Sequence, residues 1–171
     1  MHLIVRSAAM VVASALMLSL ASAAAMAASA QEEANRKTVL AFYEKGLNQK
    51  DADAALAYVG DRYVQHNPNA ADGPDGFRKF IGFLREKFPN SHSEIKRSFV
   101  DGDFVILHVH SVREPGSRGR AIVDIFKLEN GKIVEHWDVV QDIPENPANN
   151  NTMFLLGGVA PDFASLHPGY E

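Results

Sequence analysis

The run FVILHVHSV, residues 104–112, carries His108 and His110 two positions apart among apolar residues. In an extended strand that spacing puts both imidazoles on one face, because successive side chains alternate. Such a pair can ligate a metal, exchange protons with a ligand, or serve only as a hydrogen-bonded part of the fold. Two later runs carry ionisable groups between apolar residues: Asp124 in RAIVDIFKL, and His136 with Asp138 in KIVEHWDVVQ. An unpaired buried carboxylate is costly, so it pairs, shifts its proton affinity or neutralises. Beside an imidazole in an apolar cavity it is placed to act as a base. The plainer reading is that Asp124 pairs with one histidine and only fixes the sheet. His66, in YVQHNP, stands just before a turn and is a further candidate.

The metal reading can be tested on spacing. Gly102, His108, His110 and Glu114 resemble the first metal motif of the cupins. The closing glycine of that motif would fall at Ala121, and the second motif, with its third histidine, is missing. Cupins are also all-β, whereas this chain opens with helical patterns. No metal and no cofactor is therefore expected. The absence of cysteine excludes disulfides, thiolate metal sites and a cysteine nucleophile.

The elements that must position these residues fall into two halves. In NRKTVLAFYEKGLNQKD, Val39, Phe42, Tyr43, Gly46 and Leu47 form one helical stripe. Asp51 or Asp53 can cap a second, shorter helix over ADAALAYV. A third helix starts at Pro74 and Asp75, carries Phe77, Phe80, Ile81, Leu84 and Phe88 on one face, and ends at Pro89. DRYVQHNPNAADGPDG, between the second and third, reads as a short extended piece and a loop. From residue 93 the period changes. SEIKRSFV, DFVILHVHSV, RAIVDIFKL and KIVEHWDVVQ read as strands, separated by the turn signals DG, REPGSRG and ENG. Short links make successive strands antiparallel neighbours, a four-strand meander with FVILHVHSV as a central strand. Helices followed by an antiparallel sheet define an α+β class.

Within these strands Phe104, Ile106, His108 and His110 share a face; so do Ile122, Asp124 and Phe126; so do Val134, His136, Asp138 and Val140. If the three faces coincide, one wall of the sheet holds several imidazoles and two carboxylates. Strand register decides this, and a single bulge would swap the parity. Trp137 reads as core or pocket wall, and Arg113, Arg118 and Arg120 as a solvated hairpin end.

The composition is that of a globular protein, 46% hydrophobic and 22% charged. With a net charge of −4 and no basic block, a nucleic-acid partner is not expected. Residues 1–30 read as a signal peptide: Arg6, an apolar stretch from Met10 to Leu20, then Ala28-Ser29-Ala30 before Gln31. The apolar stretch is short and Ala-rich for a stable membrane span. The expectation is an exported domain, periplasmic or secreted, over 31–145, followed by an irregular tail over 146–171.

YVQHNP, GPDGFRKFIGFL, VDGDFVILHVHS, AIVDIFKLENGKIVEHWDVVQDIP and NNNTMF together resemble the SnoaL-like polyketide cyclase group. That group lies in the nuclear transport factor 2-like, ketosteroid-isomerase-like superfamily, and the resemblance spans about residues 33–154. It implies a cone-like curved antiparallel sheet wrapped around a cavity that N-terminal helices close. It also implies a small, largely apolar ligand and cofactor-independent acid–base chemistry of the aldol, isomerase or lyase type. The resemblance carries over His66, His108 or His110, Asp124, His136 and Asp138. The resulting assignment has Asp124, Asp138, His110 and His136 as acid–base groups and His66, His108, Trp137 and Phe126 as ligand contacts. Which aspartate is the base stays open, as does a purely ligand-binding role. A homodimer through the outer sheet face is the expected assembly.

Overall fold

The computed structural model describes residues 29–154. Most of the expected signal segment and the end of the tail lie outside them. Helix α1 runs over 29–43, and its last turn, Glu44–Asn48, widens into a π-helix. The expected stripe is its inner face: Val39, Phe42, Tyr43 and Gly46 are buried. Gly46 lets α1 approach the third helix, since a Cβ there would come within 2.8 Å of Phe77 Cζ. Asp51 caps α2 (Ala52–Leu56) by accepting from the Ala54 N–H at 3.0 Å. Helix α3 (Gly73–Lys87) has Pro74 in its first turn and buries Phe77, Ile81 and Leu84. Far from the cavity, buried Asn35 donates to the Gly102 carbonyl and ties α1 to a hairpin turn.

The sheet has five strands: β1 (Val59–Gln65), β2 (His92–Asp101), β3 (Phe104–Val112), β4 (Arg120–Glu129) and β5 (Lys132–Asp142). Their order is β1-β5-β4-β3-β2. β2 to β5 form the expected antiparallel meander. β3 is flanked on both sides, though β4 occupies the middle of the sheet. The Asn130-Gly131 turn joining β4 to β5 has both φ angles positive, 52° and 73°, as a tight primed hairpin turn requires.

The short extended piece expected before the loop is a fifth strand of the sheet. DRYVQ pairs parallel with β5, with Val64 opposite Glu135 and Gln65 opposite His136. A parallel partner needs a long crossover rather than a hairpin, so no turn signal announces it. The sheet is therefore mixed. It is curved and unclosed, with the helices packed on one face.

Register settles which faces coincide. Leu107 pairs with Asp124 and His108 with Val123; Asp124 pairs with Asp138, and Phe126 with His136. Directly paired residues share a face, so Val105, Leu107, Val109, Asp124, Phe126, His136 and Asp138 are on the inner, helix-covered side. His108 and His110 point to the outer side with Val123, Ile125, Glu135, Trp137 and Val139. The inner face buries Val105, Leu107, Val109 and Phe126, while the outer leaves Val139 69% exposed.

Candidate acid–base site in the sheet cavity

A cavity of about 810 Å³ lies between the inner face of the sheet and α1 and α3. Phe42 of α1 and Phe77, Phe80 and Leu84 of α3 make its apolar wall. Asp124, His136 and Asp138 enter it from neighbouring positions on β4 and β5. One ligand-capable atom from each of the three lies within 4.8 Å of the others.

Asp124 is only 5% exposed and is held on both oxygens. The Tyr43 hydroxyl donates to Oδ2 at 3.2 Å, and His136 Nε2 lies 3.0 Å from Oδ1. The other ring nitrogen, His136 Nδ1, lies 2.8 Å from Gln65 Oε1. The backbone N–H of Asn67, which can only donate, is 3.4 Å from the same Oε1. The Gln65 amide nitrogen donates to Tyr63 Oη at 3.1 Å. Gln65 therefore presents an acceptor to His136, and Nδ1 carries a proton. The bond from Nε2 to Asp124 then needs a second proton, held on either partner. This chain of contacts fixes the imidazole against the buried carboxylate.

Asp138 is different. It accepts from Asn67 Nδ2 at 2.7 Å on Oδ2, and its other oxygen has no partner among the described residues. It is half-buried and borders the cavity. The Tyr63 hydroxyl accepts from Gln65, and its own hydrogen has no acceptor among the described residues. Burial, reinforced by the negative charges of Asp124 and Asp138, raises the Tyr63 pKa, so it stays a neutral donor. Burial likewise pushes Tyr43 well above the ordinary phenol value, and Asp124 adds to the effect.

The structure thus brings together four of the eight residues singled out from sequence: Asp124, Asp138, His136 and Phe126. The other four are on the outer face. His108 Nδ1 accepts from the Arg97 guanidinium at 2.9 Å, and burial with that positive charge lowers its pKa. His110 Nε2 lies 2.8 Å from the Arg118 carbonyl. Phe154, from the C-terminal segment, packs on both rings. His66 stacks flat on Trp137, 4.3 Å between centroids, and lies 3.2 Å from Glu135 Oε2. The physical reason is one of parity: β3 pairs so that its odd-numbered residues, not its histidines, share the face of Asp124.

Four residues of the site were not singled out from sequence: Tyr43, Tyr63, Gln65 and Asn67. Tyr63, Gln65 and Asn67 are at every second position of one strand and its extension, the same alternation that sends Val64 and His66 outward. Reading DRYVQHN as a strand would have grouped them.

As for metals, Asp124, His136 and Asp138 could offer a cation three donors. Both nitrogens of His136 and both oxygens of Asp124 are already engaged, so a cation would displace the bond between them. His108, His110 and Glu114 do not form such a group among the described residues.

The fold and site define an α+β cavity protein whose sheet wall carries paired carboxylates and an imidazole. The SnoaL-like domain family matches residues 39–136, more than half of the sequence, and the chain belongs to that family. No curated protein matches it. Among solved structures it is similar to a cystatin-fold protein from Novosphingobium aromaticivorans, at 24% identity and a TM-score of 0.54, over 61% of this chain and 97% of that one. A protein from Jannaschia sp. CCS1, titled as a SnoaL-like polyketide cyclase, matches at 20% identity and a TM-score of 0.54, over 64% of this chain and 86% of that one. An NTF2-like protein from Cytophaga hutchinsonii matches at 16% identity and a TM-score of 0.52, over 63% and 89%. At these identities the likeness concerns the fold.

Proposed function

We propose that this SnoaL-like protein binds a small, largely apolar carbonyl compound in the cavity and moves a proton next to the carbonyl, without a cofactor. The observation that carries the reading is the Asp138 oxygen that has no partner among the described residues, beside the hydrogen-bonded Asp124–His136 pair and facing a cavity with an aromatic wall. Asp138 is the base: an oxygen with no partner can reach a ligand proton, whereas both oxygens of Asp124 are engaged. The Tyr63 hydroxyl donates to the developing enolate oxygen. Asp124 and His136 hold the proton that returns to carbon or oxygen, and Gln65 fixes the tautomer. Isomerisation, aldol closure and elimination all begin with this step.

The test is exchange of hydrogen for deuterium next to the carbonyl, followed by NMR in heavy water over a panel of cyclic ketones and keto acids. Faster exchange with the protein, lost in Asp138→Asn, supports the reading. Saturable binding of panel compounds with no exchange would instead establish a ligand-binding module. The three clustered donors favour one second reading, a bound cation. Stoichiometric metal on elemental analysis, with exchange abolished by a chelator, would put that reading first.

The N-terminal sequence supports export to the periplasm or exterior. Cleavage near Ala30 is the expected result of intact-mass measurement on protein recovered from the exported fraction. Among the described residues no helix is long and apolar enough to cross a membrane.

A further inference from the structure

The outer end of the same cavity has the opposite electrostatic character. Moving along β4 from Asp124, the next side chains facing the cavity are Ile122 and then Arg120. β3 brings Ser111, opposite Arg120, and then Arg113. Arg120 is four strand residues from Asp124, so their backbones are about 13 Å apart. Two cationic side chains border this end, Arg113 and Arg120, and Lys79 of α3 also lines the cavity. The carboxylate that borders it is Asp142, which binds Arg120 at 2.9 Å.

Arg113 has no carboxylate partner within ion-pair distance among the described residues. Its guanidinium is instead held 5.2 Å from the centre of the Phe88 ring. It is half-buried, and burial together with the like charge of Arg120 weakens its hold on its proton. A guanidinium kept partly out of water beside another cation is unfavourable. An incoming anion would relieve that cost and gain charge-assisted hydrogen bonds. The cations do not read as the solvated hairpin end that the sequence suggests, because Arg113 and Arg120 turn inward while Arg118 is exposed.

We infer that this end is an anion subsite centred on Arg113, so that the cavity takes an amphipathic organic anion. Its anionic group meets Arg113, its apolar body lies along Ile122, Val140 and Phe80, and its far end reaches Asp138 and Tyr63. Only the carbonyl at that far end rests on the function proposed above. The substrate class becomes a cyclic or aromatic keto acid rather than a neutral ketone.

Two dyes separate the claims: anilinonaphthalene sulfonate and its uncharged counterpart N-phenyl-1-naphthylamine. They share an apolar body and differ in the sulfonate. The sulfonate dye is expected to bind more tightly, and to weaken with added salt while the neutral dye does not. Arg113→Gln should weaken the sulfonate dye about tenfold, the size of one lost charge-assisted hydrogen bond, and leave the neutral dye within about twofold. Arg113→Lys should restore much of the loss, which separates charge from misfolding. Val139→Lys, on the outer face, should change neither dye and so places both in the cavity. Equal affinity of the sulfonate dye for wild type and Arg113→Gln, or equal losses for both dyes, overturns the subsite. If the neutral dye binds saturably but the sulfonate dye binds no better, the subsite falls and the pocket reading stands. Saturable binding of neither dye overturns both.

Discussion

The two faces of β3, β4 and β5 are built from the same strands and carry similar residue types, yet they differ in what their polar groups do. On the inner face Asp124 and His136 are buried against each other and against Tyr43, with Gln65 behind. On the outer face His108, His110 and His66 meet a guanidinium, a carbonyl and a surface carboxylate, with aromatic rings alongside. Each outer imidazole has a structural partner of its own. The inner group faces a cavity, and among the described residues one carboxylate oxygen of Asp138 and the hydroxyl hydrogen of Tyr63 have no partner. What distinguishes a candidate site from a satisfied histidine is therefore leftover hydrogen-bonding capacity directed at empty space.

The largest effect should come from setting Asp138→Asn against His110→Gln. The inner change removes the proposed base and should lower deuterium exchange by about 10² to 10⁴-fold. The outer change should leave it within about twofold. A comparable loss in both would break the distinction between the faces.

Stability should divide the same way. His136→Ala leaves Asp124 buried without its imidazole, and breaking such a pair costs about 3 kcal/mol or more. His110→Ala removes one bond to a carbonyl near the surface and should cost about 1 kcal/mol. Urea unfolding of both variants checks this, and equal costs would mean that Asp124 draws little from His136. A finer comparison uses adjacent residues. Gln65→Leu removes the acceptor that fixes His136 and should slow exchange about tenfold, whereas His66→Leu, one residue on and facing outward, should not.

Most of the fold is legible in the sequence because periodicity and turn chemistry are local. The stripe from Val39 to Leu47, the Pro74 start of α3 and the Asn130-Gly131 hairpin each declare themselves within a dozen residues. β1 declares itself only as an extended piece and not as a member of the sheet, because its partner lies about 70 residues away and its alternation is carried by polar residues. The alternation within β3, β4 and β5 is also legible, so Asp124, Asp138, His136 and Phe126 are found. What the sequence leaves open is the phase between strands. Whether His108 or Leu107 stands opposite Asp124 depends on the long REPGSRG connection, which does not fix register as a two-residue turn does. Tyr43 is hidden for another reason. On a helical stripe it reads as an apolar core residue, and only the docking of α1 on the sheet brings its hydroxyl to Asp124.

A last comparison uses the dependence of stability on pH, where the two faces should give opposite limbs. Tyr43 and Tyr63 have folded pKa values above the ordinary 10.0, because burial and the nearby aspartates disfavour the phenolate. Below pH 10 both folded and unfolded chains keep these protons, and the contribution is complete. Above it the unfolded chain releases them first, so stability falls by about 1.4 kcal/mol per pH unit for each phenol. His108 on the outer face has the reverse sign. Its folded pKa lies below 6.5, through partial burial and Arg97, so its contribution is complete above that value and is lost as the pH falls through the folded pKa. Being half-exposed, it should give only a shallow limb. Unfolding free energies measured across pH should therefore show Tyr43→Phe flattening the alkaline side alone and His108→Gln flattening the acid side alone. If Tyr43→Phe left the alkaline side unchanged, the Tyr43 phenol would be open to solvent, and the closed inner face that holds Asp124 would have to be abandoned.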